Sequence, residues 1–84
     1  DTRELDLILV EGFKHAPIPK IECYRPALGR PPIHRQDEHV IAVASDAPLQ
    51  PARALPVLDL NRPEEILAFV IAWLADQARL AAAS

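Results

Sequence analysis

The 84-residue sequence has two glycines, one cysteine, few aromatic residues and no run of basic residues, and each scarcity removes a class of function. The glycines are Gly12 and Gly29, and neither opens a G-x-x-x-x-G-K-[ST] loop, so these residues include no complete phosphate cradle. Cys23 has no second cysteine for a disulfide or a thiolate metal site, which points to a reducing compartment and a half-buried strand thiol. There are 9 Lys plus Arg against 12 Asp plus Glu, a formal charge of −3, and the basic residues are scattered singly. Nothing there neutralises a phosphate backbone, and too few rings exist for a stacking platform, so nucleic acid is excluded as a main ligand. The longest apolar run, residues 66–75, ends on Asp76 and is too short to span a bilayer. No charged start followed by an apolar segment suggests secretion. The expectation is a cytoplasmic protein without a membrane partner.

What is present is apolar: half of the residues are hydrophobic, enough for one small domain covering residues 1–84 but not for two. Leu7-Ile8-Leu9-Val10 is a continuous run closed by Glu11-Gly12, and Val40-Ile41-Ala42-Val43-Ala44 is a second, closed by Ser45-Asp46-Ala47-Pro48. Continuous rather than alternating runs mark strands covered on both faces, as in a parallel sheet. Pro56-Val57-Leu58-Asp59-Leu60 reads as a shorter strand of the same kind. Between the first two runs, Pro17, Pro19, Pro26, Pro31 and Pro32 exclude a long helix. Lys20-Ile21-Glu22-Cys23-Tyr24-Arg25 alternates and predicts an exposed edge strand, and residues 27–39 read as a surface loop.

A helix is predicted after Asn61. Asn61 stands three residues before Glu64 in the manner of an N-cap, Pro63 suits a first turn, and Glu64 and Glu65 complement the helix dipole. Ile66, Phe69, Val70, Trp73, Leu74 and Leu80 then share one face at helical spacing, with Leu67 and Ile71 widening it. Ala68, Ala72 and Ala75 permit close approach of a neighbour. The tail at residues 81–84 is expected to fray. One helix cannot cover both faces of a parallel sheet, so the chain is expected to be the back part of a larger α/β domain or to bury a face against another subunit.

Glu11 is the first candidate functional residue. Ligands of open α/β sheets collect beyond the carboxyl ends of the strands, where an emerging acid can hold Mg²⁺ or its water shell, and Gly12 lets backbone approach a phosphate. The bland alternative is an acid ending its strand in solvent. Lys14 is either a phosphate contact or an exposed strand-end lysine, and His15 reads as a loop histidine. His34, Asp37, Glu38 and His39 offer metal-ligand chemistry in a short stretch, but the preceding Pro31-Pro32 and the lack of an i, i+4 His pair favour a solvated polar loop. No nucleophile and base can be paired from spacing, and independent catalysis is not expected.

Three separated stretches, "LDLILVEGFKHAPIPKIECYRP", "HVIAVASDAPL" and "VLDLN", together resemble the C-terminal half of the molybdopterin-guanine dinucleotide biosynthesis protein B family, over residues 5–73. The resemblance implies an α/β, P-loop NTPase-like partial domain with a mostly parallel sheet, one C-terminal helix and the N-terminal phosphate-loop half missing. It also implies a GTP- and Mg²⁺-binding adaptor that forms a homodimer, at most a weak GTPase when complete. Its implied partners are the molybdenum cofactor guanylyltransferase and molybdenum-cofactor insertion proteins. By position, Val10-Glu11-Gly12 matches the family's Walker B-like strand end, which makes Glu11 the Mg²⁺-proximal carboxylate, with Gly12 and Lys14 beside the nucleotide. Ser45 and Asp46 match a strand-end loop where P-loop GTPases read guanine, and an Asp there accepts the N1 and N2 protons of the base. The alternative is a stand-alone protein-interaction module with no nucleotide role.

Overall fold

The computed structural model describes residues 7–10, 17–29, 31–51 and 53–83. The expectations placed on Glu11, Gly12, Lys14 and His15 lie outside the described residues. Four strands form one sheet: β1 (Ile8–Val10), β2 (Lys20–Tyr24), β3 (Val40–Ser45) and β4 (Val57–Asp59), followed by the helix α1 (Pro63–Ala83). The strands lie side by side in chain order and every neighbouring pair is parallel. The fold is therefore a small α/β arrangement, with the parallel strands that the continuous apolar runs predict and the one C-terminal helix that the spacing after Asn61 predicts. Two 3-10 turns, Pro26–Leu28 and Ile33–Arg35, occupy the proline-rich connection from β2 to β3. The first ends on Gly29 at φ 77°, the left-handed region that favours glycine.

β2 is not the exposed edge strand its alternation predicts. It pairs with β1 on one side and β3 on the other, and Lys20, Ile21 and Glu22 are buried. Alternation normally separates a wet face from a dry one; here both faces are dry because the charged residues have partners. Register sorts the faces. Ile21 pairs with Ala42, Cys23 with Ala44 and Ala44 with Leu58, and Ile21, Ala42, Ala44 and Leu58 form the apolar core against which Ile66, Phe69 and Val70 of α1 pack. Cys23 is half-buried, as a strand thiol should be. A register shift between Lys20 and Ile21 leaves Ile41 as the extra residue of β3, and Ile41 joins that core.

On the opposite face Glu22 pairs with Val43, and what covers them is loop rather than helix. The 3-10 turn Ile33–Arg35 contacts β3 and is fastened by the Glu22 carboxylate, which accepts from the Ile33 N–H at 2.8 Å and the His34 N–H at 3.1 Å, and pairs with His34 Nδ1 at 3.1 Å. His34, read from sequence as part of a solvated loop, is 1% exposed. Lys20 Nζ donates to Asp37 Oδ2 at 2.6 Å. Arg53, from the β3–β4 connection, donates to the carbonyls of His34, Asp37 and Val40. Burying charge is tolerable only when hydrogen bonds replace water, and no buried side-chain polar atom among the described residues lacks a partner. Residues 27–39 are thus a structural cover as much as a surface loop. The expectation that this face must await more chain or another subunit is unnecessary for Glu22 and Val43.

Asp37 illustrates the balance. Burial pushes its carboxyl up, but the hydrogen bond from Lys20, the His39 N–H at 2.9 Å and the Lys20 charge outweigh burial and hold it below the usual carboxylate range. An opposite charge and donated hydrogen bonds both favour the ionised form.

The helix departs from expectation at three points. It starts at Pro63, so the flanking position falls on Arg62, whose carbonyl accepts from the Glu65 N–H at 2.9 Å; Asn61 lies one residue too early to cap it. Leu80 is 60% exposed rather than packed. Residues 81–83, in the tail expected to fray, are helical. By length and composition this 21-residue helix also passes as long enough to cross a membrane, unlike the shorter run 66–75; the alanines extend its apolar character beyond that run. Its inner residues Ile66, Phe69 and Val70 are seated on the sheet, as in a covering helix.

Candidate functional site

Because all four strands are parallel, their carboxyl ends lie along one edge of the sheet. A cleft of about 370 Å³ opens there, lined by Ser45, Asp46, Ala47, Pro48, the end of β4, Asn61 and Glu65. That volume falls at the lower end of the ~300–1,000 Å³ typical of small-molecule sites. The structure therefore brings Ser45 and Asp46, the pair expected from sequence, to the mouth of a cleft at the end of β3. β1, which leads to Glu11, ends two strands away, roughly 10 Å at the usual strand spacing.

Hydrogen bonding ties part of the polar lining into the framework. Ser45 Oγ donates to the Ala47 carbonyl at 2.7 Å and accepts from the Ala47 N–H at 3.2 Å, so it shapes the turn after β3. The Leu60 N–H donates to the Ser45 carbonyl at 2.8 Å, tying the end of β4 to that of β3. Asp59 Oδ1 accepts from the Asn61 N–H at 2.9 Å, and the Arg62 N–H donates to the Asp59 carbonyl at 3.0 Å. Glu65, in the first turn of α1, reaches back to accept from the Asp59 N–H at 3.1 Å. The β4–α1 turn is thereby fixed from both sides. Among the described residues, no hydrogen bond or ion pair engages the Asp46 carboxylate or the Asn61 carboxamide; both line the cleft and both are exposed.

The lining selects by charge. Asp46, Asp59 and Glu65 are all carboxylates on one small cleft, which repels phosphate and attracts a group rich in N–H donors. Among the described residues no group of three or more His, Cys, Asp or Glu is arranged to hold a metal ion, and the stretch from His34 to His39 is engaged instead in the clasp over Glu22.

Sequence reading missed Asp59, Asn61 and Glu65 as parts of this cleft. The available signal was D-x-N at the end of an apolar strand, with an acid in the helix turn that follows. Asn61 and Glu65 were assigned wholly to helix initiation.

The fold and cleft define a small parallel α/β domain with a ligand-sized opening at the strand ends, placed where that architecture gathers its ligands. The chain belongs to the family described as molybdopterin guanine dinucleotide synthesis protein B, whose profile matches residues 1–46. It is similar to the molybdopterin-guanine dinucleotide biosynthesis adapter protein of Escherichia coli, with 53% identity over 78 residues, 92% of this chain and 43% of that protein. The adapter protein of the same description from Haemophilus influenzae is 48% identical over 69 residues, 82% of this chain and 37% of that protein. The chain spans about two fifths of the length of these curated relatives.

Proposed function

We propose that the chain supplies the base-binding end of a GTP-binding adaptor in molybdopterin-guanine dinucleotide biosynthesis. The supporting observation is the strand-end cleft whose wall carries the unengaged Asp46 carboxylate. In this reading the domain is P-loop NTPase-like, with the phosphate loop contributed by sequence outside these 84 residues, in keeping with the greater length of the relatives. Asp46 accepts the N1 and N2 protons of guanine, while Ser45 holds the loop in place through its bonds to Ala47. Glu11 serves Mg²⁺, and Gly12 and Lys14 the phosphates. Bound Mg²⁺ would offset the negative charge of the phosphates. The adaptor acts with the guanylyltransferase that attaches GMP to the cofactor, as a homodimer, and catalyses nothing through this part alone.

The test is Asp46→Asn in the full-length protein, with GTP and ATP titrated calorimetrically in the presence of Mg²⁺. An amide offers one acceptor and a donor where the carboxylate offers two acceptors, so the preference for GTP over ATP should fall by about tenfold or more. Wild-type protein with no preference for GTP would overturn the reading. The alternative of a pure interaction module, favoured by the exposed outer residues Leu67, Ile71 and Leu80 of α1, would then stand.

A further inference from the structure

We infer that Glu65 closes the β4 edge of the sheet to strand addition, so that neither a second copy of this chain nor an extended segment of another protein pairs there. β4 is the last strand of the sheet, and among the described residues only β3 lies beside it. A last strand is a hazard, because the backbone groups on its outer side are a ready template for another strand. In a parallel ladder alternate residues turn their N–H and C=O to one neighbour, and the residues between them turn theirs the other way. The Pro56 carbonyl accepts from the Val43 N–H at 3.0 Å and the Leu60 N–H donates to the Ser45 carbonyl at 2.8 Å, so Pro56, Leu58 and Leu60 address β3. Val57 and Asp59 therefore face outward.

Both outward groups of Asp59 are already taken. Its N–H donates to Glu65 Oε1 at 3.1 Å, and its carbonyl accepts from the Arg62 N–H at 3.0 Å. The carbonyl is satisfied by the backbone of the turn, whatever the sequence; the N–H depends on one side chain of the right length with an acceptor at its tip. Glu65 reaches it because α1 starts at Pro63, close behind the strand, and the Glu65 N–H is bonded to the Arg62 carbonyl at 2.9 Å. The first helical turn is thus set beside the strand end. What remains on the edge is Val57, and strand addition draws its affinity from a row of main-chain bonds rather than from one residue. An incoming strand would have to displace the Glu65 carboxylate to gain a second rung. Copies of the chain are left to associate through other surfaces, and this holds whatever ligand the cleft takes.

The test compares full-length wild-type protein with Glu65→Ala and Glu65→Gln, by amide hydrogen exchange read residue by residue and by sedimentation velocity over a range of concentrations. Glu65→Ala should speed exchange at the Asp59 amide by about tenfold or more, as the loss of one hydrogen bond implies. The Leu60 amide, bonded to Ser45, should keep its wild-type rate. The same variant should form concentration-dependent species larger than any in the wild type. Glu65→Gln keeps an acceptor oxygen and should match the wild type in both measurements. To separate edge pairing from damage to the fold, Val57→Lys is added to Glu65→Ala. Val57 is 38% exposed, and a lysine on an edge strand opposes pairing, so Asp59 should still exchange fast while sedimentation returns to the wild-type pattern. Wild-type exchange at Asp59 in Glu65→Ala overturns the inference, and so does fast exchange with no added association. Larger species that persist after Val57→Lys overturn it as well, since they would then come from misfolding rather than from the edge.

Discussion

At β2 and β3 both faces of the sheet are dry, but they are kept dry by opposite means. β2 sends Ile21 to one face and Glu22 to the other, and they are 0% and 3% exposed. Ile21 meets Ala42, Ala44, Leu58 and the inner side of α1, contacts that any well-fitting apolar side chains could provide. Glu22 meets the Ile33 and His34 N–H groups and the His34 ring at 2.8–3.1 Å, and only an acceptor in that place will serve. The helix face is thus forgiving of composition and the loop face is not.

The largest expected effect follows from that difference. Glu22→Ala removes the acceptor but leaves the His34 donors buried, and stranded donors with a broken buried pair should cost on the order of 3 kcal/mol. For a domain of this size that is a large share of the total stability. Urea unfolding followed by far-ultraviolet circular dichroism would register it as a lower midpoint; an unchanged midpoint would show that water replaces the carboxylate freely and that the loop is not a true cover. Glu22→Gln, which retains one acceptor oxygen, should fall between.

The same contrast explains what the sequence made legible. The runs 7–10 and 40–44 announced parallel strands because they are apolar without alternation, the second of them buried along its length, and the spacing of Ile66, Phe69 and Val70 announced the face of α1 that meets the sheet. β2 was misread because Lys20 and Glu22 look wet in isolation; their partners Asp37 and His34 lie 17 and 12 residues further on, brought back by a loop whose prolines show only that it is not a helix. Asp46 was legible as a polar residue after an apolar strand. Asn61 was not legible as part of the cleft, because Asn-Arg-Pro-Glu-Glu fits helix capping, and only the observed start at Pro63 shows that it lies one residue too early to cap.

A smaller effect probes the loop face through pH. Asp37 is held below its ordinary range when folded and returns to about 3.9 when unfolded. As pH falls, the unfolded chain takes up the proton first, so stability from this group is complete above about pH 5 and is lost as pH drops through the folded value. Asp37→Asn should therefore reduce stability at neutral pH and flatten the acid limb of a melting temperature against pH curve between about pH 5 and 3. A variant curve parallel to wild type would remove the Lys20–Asp37 pair from the account of the loop cover. Leu58→Ala, which changes only the helix face, should keep the wild-type acid limb.

The smallest effect belongs to the side of α1 turned away from the sheet. Leu67 and Ile71 are 59% and 58% exposed, whereas Phe69 and Val70 are packed on the core. Leucine and alanine differ little in helix propensity, and little apolar surface at Leu67 is withdrawn from water within this chain. Leu67→Ala should accordingly shift stability by no more than about 0.5 kcal/mol, as surface substitutions do. Phe69→Ala, two residues along, loses packing against the sheet and should cost several times more, below the ~3–5 kcal/mol of a fully buried ring because Phe69 is only half-buried. Differential scanning calorimetry of the two variants at one protein concentration compares the sides of the helix directly. A loss at Leu67 as large as that at Phe69 would mean that the outer side is covered in solution, and the division into a packed inner and an open outer face would then have to be withdrawn.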